Sequence, residues 1–192
     1  MNKPLSNSST LPPAYVASDH EARINKLWHK NHAFKPSGKG DPFSMLMPPP
    51  NANESLHVGH ALVMSVSDLL VRYARMNGRD TLWIPGTDHA GFETQVVYEK
   101  KLQKEDKSRF DFTADELRTN IRHYVTAQQK NILTQIKRLG ASCDWDSLFF
   151  TLDENIVDTV GATFKRMHED KLLYRAKRLG NWHPNPGCQF SA

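Results

Sequence analysis

The chain has 192 residues, with 25 Lys and Arg against 21 Asp and Glu, a formal charge of +4, and 39% hydrophobic and 24% charged residues. That balance excludes a disordered or fibrous chain, and no apolar run reaches the roughly 18 residues that a membrane-spanning helix needs. Two distant cysteines, Cys143 and Cys188, form no C-x-x-C pair, so free thiols in a reducing cytoplasm are expected rather than a zinc or disulfide framework.

Residues 1–18 read as a polar lead-in without the apolar core of a secretory signal, and residues 19–192 as one domain. Residues 19 to 34 set Ile24, Leu27, Trp28 and Phe34 at helical spacing behind Asp19, a candidate cap. "FSMLM", stopped by Pro48, is too short for a helix and predicts a buried strand. From Val58, the apolar residues Leu62, Val66, Leu69, Tyr73 and Met76 recur every three to four positions, with Ser65, Asp68, Arg72 and Arg75 on other faces; Asn77-Gly78 closes this helix.

"DTLWIPG" predicts a second strand, "TDHAG" a loop and "FETQVVYEKKLQKE" another helix. Residues 113 to 139 predict a long helix with Leu117, Ile121, Tyr124, Val125, Ile132, Ile136 and Leu139 on its apolar face and Gly140 at its end. A helix over residues 153 to 170 follows, and "LLYRAKRLGNWHP" reads as strand. Strands alternating with helices predict an α/β fold of the doubly wound class, a parallel sheet with crossover helices.

In such folds ligands sit beyond the carboxyl ends of the strands, beside helix N-termini. Two unusual segments fall there: "PPPNANESLHVGH", residues 48 to 60, and "GTDHAG", residues 86 to 91. A helix N-terminus offers unpaired amides to a phosphate; His57 and His60 add imidazole donors, and Gly59 lets a ligand approach the backbone. The pattern also admits a metal pair or two ordinary surface histidines, and Asp88 also reads as a helix cap. No third ligand lies close to His57 and His60 in sequence, so no bound structural metal is expected.

Six motifs in order, "PPPN", "LHVGHAL", "GRDTLWIPGTDHAG", "RLGASCDWD", "FTLDE" and "NWHP", resemble the valyl-tRNA synthetases among the class I aminoacyl-tRNA synthetases, from about Trp28 to the end. His57 to His60 is similar to that family's His-Ile-Gly-His motif. The resemblance implies the first half of a Rossmann-like nucleotide-binding fold. It implies an ATP site at His57, Gly59 and His60, with His57 and His60 catalytic, and a valine site at Pro49, Pro50, Asn51 and Asp88. Asp88 would hold the α-ammonium. The implied reaction activates L-valine with ATP, accompanied by Mg²⁺, and transfers it to tRNA(Val).

The chain departs from the family at Ala52, Asn53 and Glu54, where Val-Thr-Gly is usual, and at His183, Cys188 and Gln189. Glu54 is expected to bring a carboxylate near phosphates. The resemblance places residue 192 near the start of the family's editing insertion, with the second half of the nucleotide fold beyond it. Uncovered apolar faces are therefore expected, along with a partner such as the C-terminal half as a separate chain. The alternative is a catalytically dead ATP- or valine-binding module, or a remnant, acting with a second polypeptide.

Overall fold

The computed structural model describes residues 14–184 and 188–190, without side-chain placement at 183 and 188–190. The chain divides into two compact units, one ending at Thr151 and the other beginning at Leu152.

In the first unit, strand β1 (Pro42–Leu46) pairs in parallel with β2 (Asp80–Ile84), residue for residue from Pro42 with Asp80 to Leu46 with Ile84. Helix α2 (Val58–Met76) makes the crossover between them. Beyond Pro85 the chain resumes as β3 (Gly86–Thr87), which pairs in parallel with β4 (Phe149–Phe150). Helices α3 (Gly91–Lys104) and α4 (Ala114–Arg138) fill that second crossover. The strand-helix alternation and the parallel pairings are those expected of the doubly wound class.

Sequence and structure part company at several points. Helix α1 spans Ala17–Lys30, so it begins inside the lead-in; Asp19 lies in its first turn, and Phe34 lies beyond its end. "GTDHAG" is not all loop, because Gly86 and Thr87 join a strand. Gly86 is required there: a Cβ on it would meet the Phe149 ring at 2.3 Å.

The core gathers Met47, Met64, Val71, Trp83, Ile132, Ile136, Ala141 and Cys143 between the sheet, α2 and α4. Burial of each large side chain here contributes about 1.5–3 kcal/mol. Cys143 is free and buried, and burial holds its thiol well above the usual range, so it stays protonated. Helix α4 is entered through a capping box, with Thr113 accepting from the Glu116 amide and the Glu116 carboxylate accepting from the Thr113 amide. It ends before Gly140, whose φ of 76° suits glycine.

Helix α2 turns the other way from its sequence pattern. Val58, Leu62, Val66, Leu69, Tyr73 and Met76 are exposed, whereas Met64, Val71 and Ala74 are buried. Its inward face also carries Asp68, Arg72 and Arg75, which bind the connector after α4. The Asp68 carboxylate accepts from the Ser142 amide at 3.0 Å and from the Ser142 hydroxyl; Arg75 donates to Ser142 O at 2.7 Å, and Arg72 to Gly140 O at 2.8 Å. Unpaired carbonyls and amides of the connector need these partners, so the charged residues face in and the apolar stripe is left outside.

The second unit holds α5 (Glu154–Glu169), an irregular stretch over residues 173–180, and β5 (Asn181–His183) paired antiparallel with β6 (Cys188–Phe190). The strand expected from "LLYRAKRLGNWHP" thus covers only its last residues. Among the described residues no helix is long and apolar enough to cross a membrane.

Candidate active site

Beyond β1 the chain runs on beside the continuation of β2 and β3. The Asp88 amide donates to Pro50 O at 2.8 Å and the Ala52 amide to Asp88 O at 2.6 Å, an isolated parallel bridge that sets Asn51 against Asp88. Ala52 is fully buried under this crossing. The chain then turns into α2 through His57 and His60.

Those histidines cap α2 reciprocally. His57 Nδ1 accepts from the Gly59 amide at 3.1 Å, and His60 Nδ1 accepts from the His57 amide at 3.3 Å. Imidazoles here replace the usual Ser and Glu of a capping box. Because both Nδ1 atoms accept, the bonding assigns the ring hydrogens to Nε2, and among the described residues these two Nε2–H donors have no partner. The rings lie 3.9 Å apart between centroids. Burial, and then the neighbouring His57, lower the His60 pKa from its usual value, which favours the neutral form of that ring. Gly59 makes room for this arrangement, since a Cβ there would come within 2.9 Å of the His57 ring.

Pro48, Pro49, Pro50, Asn51, His57, Gly59, His60, Val63 and Met64 line a cavity of about 330 Å³. Every sequence-predicted site residue except Asp88 lines it. The Asp88 carboxylate lies on the next strand and is bound instead to Thr151, whose hydroxyl donates to Asp88 Oδ1 at 2.9 Å. Thr151 Oγ1 also accepts from the His89 amide at 2.9 Å and contacts His89 Nδ1 at 2.7 Å. With the one hydroxyl proton committed to Asp88, His89 Nδ1 must carry its own hydrogen. Nothing in the sequence pattern marks Thr151 as a site residue. Its place in "FTLDE", straight after a short apolar run, is the one signal the sequence carries for it.

Helix α4 holds the loop before His57 at three points. Tyr124 Oη donates to Asn53 O at 2.6 Å, Asn131 Nδ2 to Ser55 Oγ at 3.1 Å, and Gln135 Oε1 accepts from the Leu56 amide at 2.9 Å. Gln129 adds a fourth tie, to the buried Thr87 hydroxyl at 2.8 Å. Glu54, expected near the phosphates, instead lines a separate and larger groove between α3 and α4. Among the described residues no cluster of His, Cys, Asp and Glu is arranged to hold a metal ion. The Cys188 thiol and the His183 and Gln189 side chains fall outside what is described.

Parallel strands, crossover helices and a histidine pair capping the helix after the first strand define the first part of a nucleotide-binding fold of the synthetase type. The chain belongs to the class I tRNA synthetase family: the family profile of tRNA synthetases class I (I, L, M and V) matches residues 23–191. It is 40% identical over 178 residues to the valine-tRNA ligase of Acinetobacter baylyi, covering 93% of this chain and 18% of that protein. It is 46% identical over 167 residues to valine-tRNA ligase, chloroplastic/mitochondrial 2, of Arabidopsis thaliana, covering 86% and 17%. The chain therefore spans about a fifth of the length of the curated relatives it matches. In fold it is similar to a chain in the crystal structure of the ternary complex of Agrobacterium radiobacter K84 agnB2 LeuRS, tRNA and LeuAMS, with a TM-score of 0.73, 20% identity, and coverage of 93% of this chain and 21% of that one.

Proposed function

We propose that this chain is the N-terminal part of a valine-tRNA ligase of the cytoplasm. The enzyme would join L-valine to ATP, giving valyl-adenylate and pyrophosphate, and pass the valyl group to tRNA(Val). The observation that carries this reading is the reciprocal cap of His57 and His60 at the edge of a proline-walled cavity. The valine-tRNA ligases at 40–46% identity support the choice of amino acid.

In this reading the two free Nε2–H groups and the N-terminus of α2 face the phosphates of ATP. Attack of the valine carboxylate on the α-phosphorus displaces pyrophosphate, and negative charge spreads over the phosphate oxygens. Neutral imidazole donors and the helix dipole stabilise that charge without a protein nucleophile. Mg²⁺ arrives with ATP and takes its ligands largely from phosphate oxygens and water. Pro49 and Pro50 bound the aliphatic end of valine, Asn51 and Asp88 its polar end. Thr151 fixes the rotamer of the Asp88 carboxylate for the α-ammonium.

Valine-dependent ATP-pyrophosphate exchange, with threonine and isoleucine as competitors, tests the reading. Exchange should require valine and fall by about 100-fold in His60→Ala, the scale of losing one transition-state donor. Equal losses of exchange and of folding stability would sink the role of His60. A second reading, a silent ATP- or valine-binding module working with another polypeptide, is favoured by the exposed apolar stripe of α2. Valine and ATP binding without exchange would select it.

A further inference from the structure

His89 stands beside Asp88 with a ring polarity opposite to that of His57 and His60. Thr151 Oγ1 has one hydrogen to give and two lone pairs with which to accept. The Asp88 carboxylate can only accept, so that hydrogen goes to Asp88 Oδ1 at 2.9 Å, and the His89 amide at 2.9 Å takes one lone pair. In the contact of His89 Nδ1 with Thr151 Oγ1 at 2.7 Å the ring must therefore donate. Asp88 Oδ1, 3.4 Å from the same nitrogen, favours a hydrogen there as well. A neutral imidazole carries one ring hydrogen, so His89 Nε2 is left as a bare lone pair.

The residue is held everywhere else. Its carbonyl accepts from the Thr94 hydroxyl at 2.6 Å, and the chain leaves it through Ala90 in the left-handed region, at a φ of 57°. Among the described residues His89 Nε2 has no partner, and neither has Asp88 Oδ2. Both side chains stay open to solvent, His89 with 40% exposure and Asp88 with 32%.

A carboxylate oxygen and an imidazole lone pair side by side present acceptors alone. Such a pair repels phosphate, and two ligand atoms fall short of the three protein donors that a zinc site needs. It suits a cation with several N–H groups on one nitrogen, and a primary ammonium has three. We propose that His89 is a further substrate-binding residue, whose Nε2 accepts a hydrogen bond from the α-ammonium of the amino acid while Asp88 Oδ2 accepts a second. The proposal rests on the amino-acid reading of the site. Donors at His57 and His60 then meet the phosphates, and acceptors at Asp88 and His89 meet the ammonium, so opposite histidine tautomers sort the two reactants.

Two measurements on the full 192-residue chain test this. The first needs no ligand: long-range ¹H–¹⁵N spectra at pH 8, above the ordinary histidine range, read which ring nitrogen carries the hydrogen. His89, assigned by its loss in His89→Asn, should carry it on Nδ1, and His57 and His60 on Nε2. A hydrogen on His89 Nε2 would overturn the proposal.

The second is calorimetric titration with valine. His89→Asn keeps an N–H donor where Nδ1 stood and has nothing in place of Nε2. Valine affinity should fall by about tenfold or more, the scale of a hydrogen bond to a charged group. His89→Gln sets an amide oxygen near the Nε2 position and should recover most of it. Valinol, with the ammonium but no carboxylate, should lose the same factor in His89→Asn. Isovalerate, with the carboxylate but no ammonium, should lose less than about twofold in competition with valine. Urea denaturation confirms that both variants fold. Unchanged valine affinity in His89→Asn, or equal losses for valine and isovalerate, would overturn the role of His89 and leave the valine site standing. No valine binding by the wild type would instead overturn the valine reading, and this proposal with it.

Discussion

Thr151 and Asp88 stand 63 residues apart in sequence and meet through one hydrogen bond of 2.9 Å, between the threonine hydroxyl and Asp88 Oδ1. The same hydroxyl receives His89, so a single side chain at the end of β4 fixes two consecutive residues at the end of β3.

Thr151→Val keeps the shape and removes the hydroxyl, leaving the Asp88 carboxylate with only the longer contact to His89 Nδ1 at 3.4 Å. Loss of one such bond costs about 1–2 kcal/mol. If Asp88 holds valine as proposed, valine affinity measured by calorimetry falls about tenfold, and Thr151→Ser restores most of it.

His60 makes the pH dependence legible. Its folded pKa is lowered, chiefly by burial, so the folded chain binds fewer protons here than the unfolded one. Stability from this group is full above about pH 6.5 and declines as pH falls through that value. Protonation would also abolish the acceptor for the His57 amide. Urea denaturation at pH 7.5 and 5.5 should show a smaller pH-dependent loss for His60→Gln than for the wild type.

The two faces of α2 should respond oppositely to mutation. Met64→Ala is expected to cost about 2–5 kcal/mol, because Met64 is buried in the core. Leu69→Ser and Tyr73→Ser, on the exposed stripe, should stay within about 0.5 kcal/mol in urea denaturation. The opposite ranking would mean that the helix is rotated.

Arg75 should matter more than its charge suggests. It reaches the Ser142 hydroxyl at 2.6 Å and the Ser142 carbonyl at 2.7 Å, and Ser142 is itself held by Asp68. Arg75→Met strips these bonds from a fully buried residue. A loss of about 2–3 kcal/mol is expected, the scale for charged hydrogen bonds and the groups they leave unmet. Arg79→Met, which removes one exposed bond to Pro42 O, should cost far less.

Strong local chemistry is legible along the chain. Pro48 ends β1's apolar run, and Asn77-Gly78 and Gly140 end α2 and α4 where αL-tolerant residues should. The buried face of α2 is not legible in the sequence, because the helix is apolar on more than one side. Its period reveals a helix, but only the polar connector at 140–142 decides which side turns inward. Strand β3 has two residues, too few for any pattern, and Thr151 acts across a distance that no window along the chain can span. The histidine cap could be placed at a helix start by its spacing, but its reciprocal bonding depends on ring orientations that only the fold supplies.

The three bonds from Tyr124, Asn131 and Gln135 to the loop before His57 also carry a kinetic consequence. They join residues more than 70 positions apart, so the loop takes its final form only after α4 has docked, and contacts of such long range are the slow ones in folding. Helical signal should therefore return before the ordered loop at 51–57 does during refolding, with that loop among the last parts of the chain to settle.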